Sequence, residues 1–110
     1  MILKPGEITL VNTSTRIQMP KSFYAMVCSN SGLASKGVFV LNSPGIIDSF
    51  YVDDIKVILC NLGKEAITIG KNEKIAQLIF VKSPKVDLES VSGQIDNKGT
   101  RGGFGSTGIF

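Results

Sequence analysis

The residues through which this 110-residue sequence could do chemistry fall into four short clusters. In Asn42-Ser43-Pro44-Gly45-Ile46-Ile47-Asp48-Ser49-Phe50-Tyr51, a Ser-Pro-Gly turn and two large apolar residues precede a carboxylate. On a stiff hairpin Asp48 could orient and deprotonate a water while Tyr51 lays its ring against a sugar, or Asp48 could do no more than cap the turn. In Ser29-Asn30-Ser31-Gly32-Leu33-Ala34, backbone donors and hydroxyls either meet an anion or cap a single helical turn. Gln77 shares a strand face with Ile75, Ile79 and Val81, and a buried amide there would need partners, either a neighbouring loop's backbone or a ligand's phosphate. The stretch from Gly99 to Gly108 concentrates five of the twelve glycines into ten positions, which would let successive backbone N–H groups turn toward an anion. Arg101, Ser106 and Thr107 would add donors, and Phe104, with no core of its own to join, could stack on a nucleobase. The plain alternative is a fraying Gly/Ser tail.

Other chemistries are excluded by composition. With no histidine, Ser-His-Asp and Cys-His nucleophile systems, HExxH zinc sites and imidazole acid/base catalysis are impossible, leaving carboxylates, amides and bound ions. Gly70-Lys71-Asn72-Glu73-Lys74 lacks the GxxxxGK[ST] pattern of a P-loop. Twelve Lys/Arg against nine Asp/Glu leave a net charge of +3, scattered too evenly to form the basic stripe that nucleic acid requires. Cys28 and Cys60 have neither zinc-knuckle spacing nor disulfide-scaffold density, and read as buried thiols in a reducing compartment. Pro5-Gly6 interrupts the opening residues before a signal-peptide core could form, and no stretch is apolar enough to span a membrane, so a soluble intracellular protein of the cytoplasm or nucleus is expected, without nucleic-acid or membrane partners.

Positioning those clusters falls to strands. Ile and Val number 22 against four Ala, which favours pleated, half-buried structure over helix. The predicted strands are Ile8–Thr13, Arg16–Met19, Phe23–Ser29, Gly37–Leu41, Ile55–Asn61, Ala66–Ile69 and Lys74–Lys82, with one helical turn over Leu33–Lys36. This is an all-β chain with one core, expected to fold as a sandwich or barrel. A core domain over residues 1–85 gives way to an arm and glycine-rich tail over residues 86–110, where the pattern dissolves. Strands such as Phe23–Ser29 are apolar on both faces, so a second copy of the chain is expected to cover the outer one.

Taken together, the clusters resemble the trimeric dUTP pyrophosphatase (dUTPase) family, of whose five ordered motifs four are recognisable from about Leu3 to Gly108. Ser31-Gly32-Leu33-Ala34 resembles the second motif, Gly45-Ile46-Ile47-Asp48-Ser49-Phe50-Tyr51 the third, Lys74-Ile75-Ala76-Gln77-Leu78-Ile79 the fourth, and Gly102-Gly103-Phe104-Gly105-Ser106-Thr107-Gly108 the fifth. The resemblance implies a β-sandwich or jelly-roll-like subunit in a homotrimer with active sites at subunit interfaces. It implies hydrolysis of dUTP to dUMP and pyrophosphate, with Mg2+ carried on the triphosphate and water, without protein ligands, and a water attacking the α-phosphorus. By position, Asp48 would activate that water, and Tyr51 would pack under the deoxyribose and exclude a 2′-hydroxyl. Asn42 and the hairpin backbone at Gly45 and Ile47 would read the uracil edge. Ser31, Gly32 and Gln77 would hold phosphate oxygens, Phe104 would stack over uracil, and Gly105, Ser106 and Thr107 would reach the γ-phosphate with Arg101 or Lys98.

Some positions depart from the pattern. The first motif, an Ala-Gly-x-Asp-Leu-like segment expected ahead of Pro5-Gly6-Glu7, is not among these residues, which implies weaker Mg2+ placement and a sheet edge left unpaired. Asn30 stands where an Arg is usual and Phe50 where an Asp is usual. Val52-Asp53-Asp54 replaces an Arg-Gly-acid run, predicting Asp53 in a conformation that favours glycine. These departures motivate a rival reading, a non-catalytic dUTPase-like trimer whose nucleotide binding regulates a protein partner; a purely structural trimer is a third.

Overall fold

In the computed structural model, which describes residues 1–95, the chain runs through β1 (Ile2–Leu3), β2 (Ile8–Asn12), β3 (Phe23–Ser29), a helical turn α1 (Ser31–Ala34), β4 (Val38–Val40), β5 (Gly45–Ile47), β6 (Lys56–Asn61), β7 (Ile67–Thr68) and β8 (Ala76–Lys82). Alternation along the strands sets the layers. In β3, Ala25 and Val27 are buried while Tyr24, Met26 and Cys28, on the other face, are half-buried. In β6, Val57 and Leu59 are buried and Lys56 faces solvent. Two three-stranded antiparallel sheets result, ordered β2–β6–β4 and β5–β3–β8, with the ribbon β1–β7 beside them. Between them lie Leu3, Val27, Leu33, Val38, Val40, Ile55, Val57, Leu59 and Ile69. Each such side chain contributes about 1.5–3 kcal/mol on leaving water.

The outer faces are apolar as well. Register places Ile46 and Ile79 on either side of Met26, and Ile46 is 61% exposed. On the other sheet Ile8 and Leu10 are exposed opposite Cys60 and Ile58. Among the described residues no helix is long and apolar enough to cross a membrane.

Several sequence expectations need correction. Arg16–Met19 is not a strand. Asn12 Oδ1 accepts from Ser14 N (2.8 Å) and Thr13 Oγ1 from Thr15 N (3.2 Å), with Ser14 at φ 57°, so local side-chain bonds turn the chain out of the ladder after β2. Gly45–Ile47, read as turn, is a strand against β3, and Ile2–Leu3 is a strand too short to carry a two-residue period. Cys28 is half-buried rather than buried, whereas Cys60 is buried; both are free thiols. Asp53 is not at positive φ; the described non-glycine residues there are Ser14 and Asn72.

At one corner the backbones of Gly37 and Gly63 touch. Gly37 has φ +94°, and a Cβ there would stand 2.5 Å from Gly63 N; one on Gly63 would stand 2.6 Å from the Lys36 carbonyl oxygen. Beside this contact, fully buried Asn61 donates from Nδ2 to the carbonyls of Leu3 and Glu65 (2.9 Å each) and accepts at Oδ1 from Gly63 N (2.8 Å). Truncation to Asn61→Ala strands three backbone groups at once, two of them carbonyls on separate segments. Asn61→Ala is expected to destabilise the fold by about 2–4 kcal/mol. Urea unfolding checks this, and an unchanged midpoint would refute it.

Candidate active site

The last residue of β3 draws three of the clusters together. Ser29 Oγ accepts from Val40 N (3.0 Å), its N–H donates to Ser43 Oγ (3.3 Å), and its carbonyl accepts from Gln77 Nε2 (3.1 Å). Helix α1 follows at once because Asn30, extended at φ −84° and ψ 126°, accepts at Oδ1 from Leu33 N (3.1 Å), and buried Leu33 anchors the turn in the core. The observed turn starts at Ser31, two residues earlier than predicted. Asn30 is thus engaged as a cap, and a side chain on Gly32 would come within 3.2 Å of that cap oxygen. Ser31 and Gly32 are exposed. Gln77 is exposed too, not buried as the apolar strand face suggested, and its amide satisfies a backbone carbonyl.

The hairpin after β4 begins with Leu41 N donating to the Ile58 carbonyl (2.8 Å) and Ser43 N to that of Val40 (3.1 Å); the Ser43–Pro44 peptide is cis. Gly45 is buried and closely packed: a Cβ there would stand 3.1 Å from Asn42 Nδ2 and press on that side chain. Half-buried Ile47 packs on the core, and β5 then delivers Asp48 to the surface. Asp48 Oδ1 accepts from Phe50 N (2.8 Å) and its carbonyl from Tyr51 N (3.3 Å). So the carboxylate does cap its turn, but with one oxygen; the other takes no hydrogen bond among the described residues. Tyr51 lies beside it, its hydroxyl donating to the Asp54 carbonyl (2.6 Å). Ile46, Ile47, Asp48, Tyr51, Ile55 and Lys56 line a crevice of about 210 Å³, short of the roughly 300–1,000 Å³ of complete small-molecule sites.

A second cavity, about 230 Å³ and mostly apolar, holds Gln77 with Thr13, Thr15 and Leu78 among its lining. No described hydrogen bond joins Gln77, Ser31 or Gly32 to Asp48 or Tyr51. The chain presents two half-sites: donors for an anion around Ser29, and a carboxylate with an aromatic ring beyond β5. Lys98, Arg101, Phe104, Gly105, Ser106 and Thr107 lie outside the described residues. Among the described residues no group of three His, Cys, Asp or Glu side chains could cage a metal ion.

Sequence reasoning missed the network behind Tyr51. Arg16 Nε binds Asp54 Oδ1 (2.7 Å), Arg16 Nη2 lies 3.6 Å from Asp53 Oδ1, and Asn12 Nδ2 donates to Asp54 Oδ2 (3.2 Å). No local pattern links residues 38 positions apart. The signal was the β2–β6 register, which pairs Asn12 with Lys56 and, continued outward, brings residues 14–16 toward 53–54.

Residues 1–108 match the model of the dUTPase family. A deoxyuridine 5′-triphosphate nucleotidohydrolase from Rickettsia felis is 47% identical over 108 residues, 97% of this chain and 73% of that protein. One from a Thermoanaerobacter sp. is 44% identical over 113 residues, 99% of this chain and 74% of the relative. The fold is similar to that of the native EIAV dUTPase, with a TM-score of 0.73 at 27% identity across 86% of this chain and 78% of that one.

The Arg16 hydrogen bond, aided by that of Asn12, holds the Asp54 carboxyl below its ordinary value of 3.8, and the Arg16 guanidinium is held above its own. With the folded value depressed, the link adds to stability above the unfolded value and is lost as pH falls through the folded one. Arg16 stays charged throughout that window. An NMR titration of Asp54 is expected to give a midpoint under 3.8 that rises toward it in Arg16→Gln; a wild-type midpoint at or above 3.8 would refute the link.

Proposed function

The chain belongs to the dUTPase family, and we propose that it hydrolyses dUTP to dUMP and pyrophosphate by attack of water on the α-phosphorus. What carries the reading is the divided carboxylate: Asp48 is tied to its turn through Oδ1, with Oδ2 uncommitted at a crevice that also holds the Tyr51 ring. A base fixed by one oxygen can aim the other. The free oxygen takes a proton from the attacking water as the new P–O bond forms, the bond to the bridging oxygen breaks, and pyrophosphate leaves.

Positioning and charge neutralisation are the protein's remaining tasks in phosphoryl chemistry. Asn42 and the backbone at Gly45 and Ile47 read the uracil edge, so that a mismatched base leaves buried polar groups unpaired. Tyr51 packs under the deoxyribose and refuses a 2′-hydroxyl. Ser31, Gly32 and Gln77 hold phosphate oxygens. The segment over residues 86–110 closes the site, with Phe104 on the base and Gly105, Ser106, Thr107 and Arg101 or Lys98 toward the γ-phosphate. Mg2+ would enter as part of the substrate, carried by the triphosphate and water.

The same geometry supports a homotrimer with shared sites. The crevice is too small for a nucleotide triphosphate, the anion donors stand apart from it, and Ile46, Phe50, Ile8 and Leu10 are exposed on the outer surfaces. The two free thiols suit the reducing interior of a cell.

Pyrophosphate release with dUTP, UTP and dCTP tests the assignment. Turnover is expected to be far faster with dUTP than with UTP or dCTP, and Asp48→Asn is expected to lower kcat by about 10²–10⁴-fold with little change in dUTP affinity. Undiminished turnover in that variant would remove Asp48 as the base. No pyrophosphate from any of the three nucleotides would remove the enzyme reading.

A further inference from the structure

The loop that carries Tyr51 has little to hold it. Phe50 is 76% exposed and Val52 and Asp53 are exposed, so within residues 50–53 only the Tyr51 ring, in the crevice with Ile46, Ile47 and Ile55, has apolar neighbours to rest on. Its fixed end is Asp54, whose carbonyl receives the Tyr51 hydroxyl and whose carboxylate is gripped by Arg16 and Asn12. Asp54 N also donates to Asp53 Oδ1 (2.7 Å), and Arg16 spans both acids. The far side of this link is rigid. Ile55 N donates to the Thr15 carbonyl (2.8 Å), and Thr13 donates to the Ile55 carbonyl from both N (3.0 Å) and Oγ1 (2.7 Å).

We propose that Arg16 is a positioning residue for sugar discrimination: by clamping Asp54 it fixes the carbonyl from which the Tyr51 ring is held against the deoxyribose. The proposal rests on Tyr51 having that role. Arg16 is two-thirds exposed, and an exposed ion pair contributes little to global stability. Its effect is concentrated on residues 51–54, whose other hydrogen bonds run back to Asp48 within the same exposed turn, so that loss of the link frees the ring at its hydroxyl end. The Asp48 turn keeps its own bond to Phe50 N, so the base is less affected than the ring.

The test compares Arg16→Gln, Arg16→Lys, Tyr51→Phe and the Arg16→Gln/Tyr51→Phe double variant in the full chain, using kcat and KM for dUTP and UTP. In Arg16→Gln the preference for dUTP over UTP is expected to fall about fivefold. The loss should appear in KM more than in kcat, and Arg16→Lys should recover part of it. Tyr51→Phe, which keeps the ring and removes the hydroxyl, should cost a similar factor, and the double variant no more than either alone. Amide exchange at Phe50 and Tyr51 should quicken in Arg16→Gln while β3 amides do not, a readout independent of turnover. Unchanged exchange at both amides, or additive losses of preference, would overturn the proposal. A wild-type protein that does not prefer dUTP would sink the functional reading instead, with exchange still deciding whether Arg16 holds the loop.

Discussion

Ser29 gives each of its three polar groups to a different stretch of chain, and the arrangement of the candidate site depends on that division. Its hydroxyl oxygen fixes the end of β4, its N–H holds the start of the hairpin, and its carbonyl receives the amide of Gln77. Each bond alone contributes only about 0.5–1.5 kcal/mol. Their joint effect is geometric, because the stretch from Val40 to Ser43 and the start of β8, far apart in sequence, meet at the end of one central strand. That strand pairs on both sides, with β5 and with β8, so the meeting point cannot drift without breaking two ladders.

The same sheet explains why one chain carries two half-sites. A strand at the centre of a small sandwich buries one face in the core and leaves the other to the surroundings, and here the second face carries Met26 between Ile46 and Ile79. The groups suited to an anion gather where β3 ends, whereas β5, running antiparallel to it, delivers Asp48 at its own far end. Antiparallel pairing separates them by construction. If the two act together as proposed, they meet across a second surface, and the exposed apolar row is of a kind that a second copy would cover.

What the sequence disclosed follows from which signals are local. Phe23–Ser29 was legible to the residue because seven consecutive apolar or small residues alternate between two faces. The turn at Ser43-Pro44 was legible because its residues act within a few bonds, but Asp48 caps a second turn beyond β5 that the sequence reading merged with the first. Arg16–Met19 carried strand-like residues, yet Asn12 and Thr13 intercept the backbone just before it, an interaction decided by side-chain bonds rather than by period. Gln77 was read as buried from its neighbours, but the face it shares is an uncovered one within a single chain. The Arg16–Asp54 link and the Asn61 bond to Leu3 were invisible because their partners lie tens of residues away. The resemblance to a family supplied roles for Asp48, Tyr51 and the glycine-rich tail that spacing alone left open.

The contact between Gly37 and Gly63 reaches further than its corner. Two main chains there leave no space for a methyl group, so β4 can meet β6 in only one alignment: sliding either strand along the other would wedge Lys36 or Leu62 into a gap sized for hydrogen. The corner acts as a keyway. Since β4 ends at Val40, whose N–H reaches Ser29, a fault in that distant notch would travel along three residues of strand and arrive as a displaced Ser29 junction. Tolerance to change at this surface corner is therefore set by the needs of a site on the other end of the strand.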